Sequence, residues 1–138
     1  MRALFLCCFF LLPSLCNSAD SLCVRHLTVP GYPRLARIAR LEGSVKVDVE
    51  IDANGKVVSA VGSGGHKLLN HYSEENIQKW VFKPSRSSMH HTITFTYRLV
   101  GNEEYQDPPP LVVLELPDQV EITSHPPKVV AFLSGFAK

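Results

Sequence analysis

Residues 44–61 read Ser-Val-Lys-Val-Asp-Val-Glu-Ile-Asp-Ala-Asn-Gly-Lys-Val-Val-Ser-Ala-Val. Apolar and polar side chains alternate over residues 44–52, which is typical of a half-buried strand with one face toward water. The Asp-Ala-Asn-Gly sequence at 52–55 is a hairpin signal, because Asn and Gly accept the positive φ that tight turns need. This stretch therefore predicts two antiparallel strands, 44–52 and Lys56–Val61, joined by a turn.

A helix is predicted on each side of this hairpin. Pro33 suits the first turn of a helix, so a short helical stretch is expected over Arg34–Arg40. After a glycine-rich break at 62–65, a second helix is predicted over His66–Val81 from its apolar spacing. A shorter helix that begins at Glu74 is the alternative, because Ser and Glu residues there are suited to cap it.

Three further segments have the pattern of strands. Thr92–Val100 alternates between large apolar side chains and mainly threonines, and it forms the third strand of the predicted sheet. Leu111–Leu116 and Gln119–Thr123 are apolar and β-branched, and they follow an acidic stretch that ends in prolines. We expect one of these two segments to pair with an open sheet edge, with plain packing on the core as the alternative.

The N-terminal 19 residues have the pattern of a secretory signal peptide. Arg2 precedes an uncharged apolar run at 3–12, and small residues lead to an expected cleavage after Ala19. The run is short for a bilayer span, which takes about 20 helical residues. We therefore expect export across a membrane, and the family resemblance given below implies that this is the inner membrane and that the destination is the periplasm. A retained signal-anchor, or a lipid on Cys16, would make the protein membrane-anchored instead.

Composition favours one small globular domain. The 138 residues are 45% hydrophobic and 20% charged with a formal net charge of +1. These values exclude a disordered, collagen-like or coiled-coil chain and do not indicate nucleic-acid binding. The sequence contains neither Cys-x-x-Cys nor His-Glu-x-x-His, and no serine–histidine pattern marks a nucleophile. We therefore expect no catalytic site, no metal, no cofactor and no small-molecule substrate, which means that the chain is predicted not to be an enzyme.

Short motifs occur in a fixed order along residues 30–100. They are Tyr32-Pro33, then Glu42-Gly43, then Asn54-Gly55, then Trp80-x-Phe82-x-Pro84. In this order and spacing they resemble the C-terminal domain of the TonB energy-transducer family. The resemblance implies a small α+β domain, in which a three-stranded antiparallel sheet has two helices packed on one face, and extra C-terminal strands would extend it. Pro33 and the residues of the three later motifs would be its structural signature.

The resemblance also implies a protein-binding role. Members of this family grip a peptide segment of outer-membrane transporters by strand addition at a sheet edge, in energy-coupled transmembrane transport. The resemblance assigns partner binding to the third strand and to the segment at the Tyr-Pro start, namely Thr92, Thr94, Thr96, Arg98, Val29, Pro30, Gly31 and Tyr32. The alternative is a structural or self-associating periplasmic domain, since an open edge can also pair with a second copy.

The predicted organisation follows from these assignments. It comprises a signal peptide at 1–19, an extended segment at 20–29, a TonB C-terminal-like domain at 30–100, and an acidic linker with a strand-like extension at 101–138. We expect the partner-binding end of an energy transducer without its anchor helix and long spacer. If the extension covers the edge of the third strand, peptide binding would be blocked or switchable.

Overall fold

The computed structural model describes residues 22–102 and 108–128, and the predicted signal peptide lies outside them. Within these ranges no helix is long and apolar enough to cross a membrane. The elements are β1 Val24–His26, α1 Arg34–Ile38, β2 Gly43–Ile51, β3 Val57–Ser63, α2 Lys67–Ile77, β4 Val81–Phe82, β5 Met89–Leu99, β6 Leu111–Glu115 and β7 Gln119–Ser124.

The main sheet has five strands in the order β3-β2-β5-β7-β6. In its first three strands, β2 pairs antiparallel with β3 on one side and with β5 on the other, which is the predicted three-stranded sheet. β7 pairs in parallel with the far side of β5, and β6 is the antiparallel partner of β7. β1 and β4 form a separate two-stranded sheet. The fold is therefore α+β as predicted, and the C-terminal extension adds two strands to the sheet.

The core lies on one face of this sheet. The predicted burial of one face of β2 is confirmed. Its apolar residues are each at most 1% exposed, namely Val45, Val47, Val49 and Ile51. Ile93, Phe95 and Tyr97 of β5 are buried on the same face. α2 packs across β2 and β3. Burial at about 25 cal/mol per Å² of apolar area makes this face the main source of stability.

The turn between β2 and β3 has the predicted hairpin chemistry. The Asp52 carboxylate accepts the backbone N–H groups of Asn54 and Lys56, each at 2.9 Å. These bonds, first of all the one from Lys56, hold the pKa of Asp52 below its ordinary value. Gly55 has a φ of +86°, which only glycine adopts without strain. The turn is therefore built on one carboxylate and one glycine.

α2 differs from both predicted helices. It begins at Lys67, after His66, whose ring Nδ1 accepts the Leu68 N–H at 3.2 Å, so the shorter helix from Glu74 is wrong. It also ends at Ile77, before the predicted Val81. The last predicted residues leave the helix because Val81–Phe82 pairs with β1, a contact between segments far apart in sequence.

Tyr32 and Tyr97 connect the Tyr-Pro start to the core. Their rings meet edge to face with centroids 5.2 Å apart. The Tyr32 hydroxyl donates to the Leu41 carbonyl at 2.6 Å, and the Tyr97 hydroxyl lies 2.8 Å from Ser73 Oγ. Burial, with a smaller effect of the Glu42 carboxylate, raises the pKa of Tyr32 to about 12. Burial also raises the pKa of Tyr97.

These tyrosines predict a loss of stability in alkali. The unfolded chain ionises at the ordinary tyrosine pKa of about 10, before folded Tyr32 does, so the free energy of unfolding should fall between about pH 10 and 12. Urea titrations at pH 9, 10 and 11 measure this fall. Tyr32→Phe should make it shallower without removing it, because Tyr97 shifts in the same direction. An equally steep fall in Tyr32→Phe would contradict the assignment.

Candidate functional site

β5 is paired along one side over most of its length and, over Thr94–Leu99, along the other side as well. β2 pairs with it from Gly43↔Tyr97 to Ile51↔Met89, and β7 pairs with its other side. The expectation that one of the two C-terminal segments pairs with a sheet edge is confirmed for Gln119–Thr123, and over Thr94–Leu99 the third strand is not an edge strand. The physical reason lies in the extension, because Val120 and Ile122 of β7 are 1% and 0% exposed and complete the apolar face of the sheet.

The four predicted binding residues of β5 share one orientation. They are every second residue of the strand, so their backbone groups point to the same neighbour. The Thr94 N–H donates to the Asp118 carbonyl at 2.8 Å, and the Val100 N–H donates to the Ser124 carbonyl at 2.9 Å. The N–H groups of Thr96 and Arg98 therefore also face β7. Thr92 precedes the first pair of this ladder, which is Thr94↔Gln119.

Side chains fix the register between β5 and β7. His91 Nε2 lies 2.8 Å from Asp118 Oδ1, just before β7 begins. Midway along the ladder, Arg98 Nε lies 3.4 Å from Glu121 Oε1. At the far end, Arg37 Nη1 of α1 donates to Ser124 Oγ at 3.4 Å. Each end of β7 thus has its own polar contact, and a shift along β5 would break both.

The predicted residues at the Tyr-Pro start have different environments. Tyr32 is 6% exposed, and Pro30 is also buried. Gly31 is half-buried, and a Cβ there would lie 3.1 Å from the Tyr72 hydroxyl. Val29 is 62% exposed. The structure therefore brings Tyr32 against β5 through the Tyr97 ring, on the buried face, and leaves Val29 at the surface. Their role in partner binding stays a prediction.

The Glu-Gly motif has a direct role at the end of β5. Glu42 Oε1 accepts the backbone N–H of Leu99 at 2.6 Å. Gly43, with a φ of +138°, begins β2 and pairs with Tyr97. The motif therefore aligns the last residues of β5 from the β2 side.

Asp118, Val120 and Ile122 are missing from the predicted set of site residues. The available signal was the apolar alternation in Gln119–Thr123, which predicted a strand and did not specify its partner. Among the strands of the described residues, β3 and β6 form the two outer edges of the five-stranded sheet. β6 exposes 66% of Leu111 and 46% of Val113. The open edge on the β5 side has therefore moved outward by two strands.

Comparison with known proteins places this arrangement in a family. The family model described as Gram-negative bacterial TonB protein C-terminal matches residues 28–99. The chain belongs to this TonB C-terminal family. The match confirms the resemblance carried by the sequence motifs. It also ends at the last residue of β5, so the hairpin of β6 and β7 lies beyond the part that matches the family.

One curated relative carries the family name. The chain is 35% identical over 57 residues to "Protein TonB" of Vibrio cholerae serotype O1 (strain ATCC 39315 / El Tor Inaba N16961), which covers 40% of this chain and 23% of that protein. The chain thus spans less than a quarter of the length of this relative. No solved structure matches the chain.

Proposed function

We propose that this TonB-family chain is a periplasmic protein-binding module that takes up an extended segment of an outer-membrane transporter by strand addition, in energy-coupled transport or its regulation. The observation that supports this most is the ladder between β5 and β7. It indicates that the side of β5 assigned to partner binding accepts a parallel strand over six residue pairs, from Thr94↔Gln119 to Leu99↔Ser124.

Strand addition draws its affinity from main-chain hydrogen bonds and its selectivity from alternate side chains. On β5 the main-chain groups are those of Thr94, Thr96 and Arg98, which face β7. The selectivity would come from the buried face. There, Val120 and Ile122 of β7 lie beside Phe95 and Tyr97, and an incoming strand would place its own side chains at these two positions. This role needs no catalytic group and no cofactor.

Thr96→Pro tests the role of β5. Proline removes the Thr96 N–H, which points away from β2, so the antiparallel core pairing is kept while the acceptor side loses a central donor. The substitution is made beside Ile122→Ala, which weakens the resident β7, because in the parent chain the loss of the same donor from β7 would offset the loss for the peptide. We expect binding of transporter peptides to this double variant to be about tenfold or more weaker than to Ile122→Ala alone, since the missing bond leaves a carbonyl of the incoming strand unpaired. The measurement is fluorescence anisotropy with labelled peptides from periplasm-exposed transporter segments.

Thr92→Pro is the matched control. It introduces the same residue in the same strand orientation, but Thr92 lies before the first pair with β7. It should leave peptide affinity within about twofold of the parent protein, since it removes no donor from the ladder. Circular dichroism verifies that both variants fold. Equal affinity with and without Thr96→Pro in the Ile122→Ala chain would contradict a docking site on β5.

Self-association is the second candidate function, and β6 is the observation that favours it. β6 is an outer strand with exposed Leu111 and Val113, and its one charged residue is Glu115 at the end. An apolar outer edge of this kind pairs readily with another chain. The two proline variants distinguish the candidates, because a dimer joined through β6 does not use the N–H groups of β5. Sedimentation of the parent chain and both variants measures this.

A further inference from the structure

β7 occupies the same side of β5 that the proposed function assigns to a transporter segment. We infer that β7 is a built-in ligand of this site, and that an incoming segment must replace it in parallel with apolar side chains at the positions of Val120 and Ile122. The inference rests on the proposed function and adds to it the sequence pattern that the partner must carry.

The hairpin is attached to the rest of the fold mainly through β5. Within the described residues, the strongest contacts of β7 are with β5 and with its own hairpin partner β6. The family match ends at residue 99, before the hairpin begins. The part that matches the family thus ends before the hairpin, which adds β7 to the second side of β5 and β6 to the outer side of β7.

The side chains of β7 define what this site holds. Val120 pairs with Phe95, Ile122 pairs with Tyr97, and both side chains are buried. Ser124 is 2% exposed and receives the Arg37 guanidinium at 3.4 Å. Because side chains alternate along a strand, the site takes two apolar residues and then one small hydroxyl residue, at every second position.

The acidic contact at the start of β7 extends this pattern. Asp118 precedes Val120 by two residues, and its carboxylate lies 2.8 Å from His91 Nε2. Its carbonyl also accepts the Thr94 N–H. A partner segment that reproduces all these contacts therefore reads acidic-x-apolar-x-apolar-x-Ser or Thr, from its N-terminus to its C-terminus.

Exchange of one strand for another is physically feasible at this site. An incoming segment with this pattern restores the main-chain bonds and fills the positions of Val120 and Ile122, so the core is closed in both states. The resident strand has the advantage of its tether, which gives it an effective concentration in the millimolar range. The resident strand therefore lowers the apparent affinity for any partner. The apparent affinity equals the affinity of the open site multiplied by the fraction of molecules in which the site is open.

A peptide with the sequence of residues 118–125 tests the inference directly. The labelled peptide is added in trans to the full-length parent chain, to Ile122→Val and to Ile122→Ala. Both substitutions weaken the resident strand and leave β5 unchanged. The peptide should bind to Ile122→Ala with an affinity at least about tenfold higher than to the parent chain, and to Ile122→Val with an intermediate affinity. The reason is that the loss of buried methyl groups weakens the packing of β7 and so favours the open site. Equal affinity for all three proteins, or no binding to any, overturns the inference.

Ile77→Val and Ile77→Ala are the matched controls. They remove the same methyl groups from a residue that is also 0% exposed and lies on α2, a helix that packs against β2 and β3. Peptide affinity should equal that of the parent chain. Tighter binding to Ile77→Ala, as tight as to Ile122→Ala, would show general loosening and overturn the inference. A peptide of reversed sequence keeps the two apolar residues but exchanges the acidic and hydroxyl ends, so it should bind more weakly to a parallel site.

Transporter peptides added as competitors separate this inference from the proposed function. Competition with the 118–125 peptide supports both. If the 118–125 peptide exchanges with β7 but no transporter peptide competes with it, the inference that β7 is a built-in ligand is supported and the proposed function is contradicted. If transporter peptides bind in a manner that depends on Thr96 but the 118–125 peptide does not exchange with β7, the proposed function is supported and the inference is overturned.

Discussion

Replacing Trp80 by alanine should lower the free energy of unfolding by about 3–5 kcal/mol, as is usual for a fully buried aromatic residue. Trp80 is 1% exposed, and its ring centroid lies 6.3 Å from that of Phe82 and 6.2 Å from that of Phe95. Its indole N–H donates to the Thr28 carbonyl at 3.1 Å and to Asn76 Oδ1 at 3.0 Å. The substitution therefore leaves a cavity and two acceptors without their donor.

Urea denaturation of the parent chain and the variant, followed by circular dichroism, measures this loss. Trp80→Phe is the comparison variant, since it keeps an aromatic ring beside Phe82 and Phe95 and removes the N–H together with part of the indole volume. It should cost about 1–3 kcal/mol, the penalty for leaving buried acceptors unpaired. A loss below about 1 kcal/mol in Trp80→Ala would contradict a central packing role for this residue.

Gly55→Ala should lower the free energy of unfolding by about 2–4 kcal/mol, from two causes that add. The first is the φ of +86°, which an alanine adopts only with strain. The second is close approach, because a Cβ at this position would lie 2.7 Å from the carbonyl carbon of Phe82 and closer still to its oxygen. β4 would have to move, although the Phe82 N–H donates to the Gly55 carbonyl at 2.7 Å.

Gly64→Ala separates these two causes. Gly64 also has a φ of +86°, but the nearest atom to an added Cβ is the Ser44 carbonyl oxygen at 3.6 Å, an ordinary contact. It should therefore show the backbone strain alone, about 1–2 kcal/mol. Equal losses in Gly55→Ala and Gly64→Ala, measured by urea denaturation, would contradict the role of close approach between Gly55 and β4.

The three-stranded sheet was predictable because its signals are local. β2 buries one face, so every second residue is apolar, and the Asp-Ala-Asn-Gly turn fixes its hairpin partner. The end of α2 was not predictable in the same way. Val81–Phe82 continues the apolar spacing of the helix, and only its pairing with β1, distant in sequence, makes it a strand.

The candidate site was half predictable for a related reason. The strand character of Gln119–Thr123 is a local property, and the sequence shows it. Which edge this strand covers depends on the length and course of the preceding connection and on the fit of Val120 and Ile122 beside Phe95 and Tyr97. The alternation of apolar and polar residues does not show which side chains of two distant strands pack together. The residues of β5 assigned to partner binding lie in a strand as predicted, whereas the sequence left open which edge the C-terminal segment covers.

The order of the strands also has a consequence for folding. β7 is the last strand of the described chain, so the second side of β5 has no partner within this sheet until the hairpin of β6 and β7 has closed on it. Before that step the sheet of β2, β3 and β5 has a bare side on β5, and any extended segment nearby competes with β7 for its first pairing.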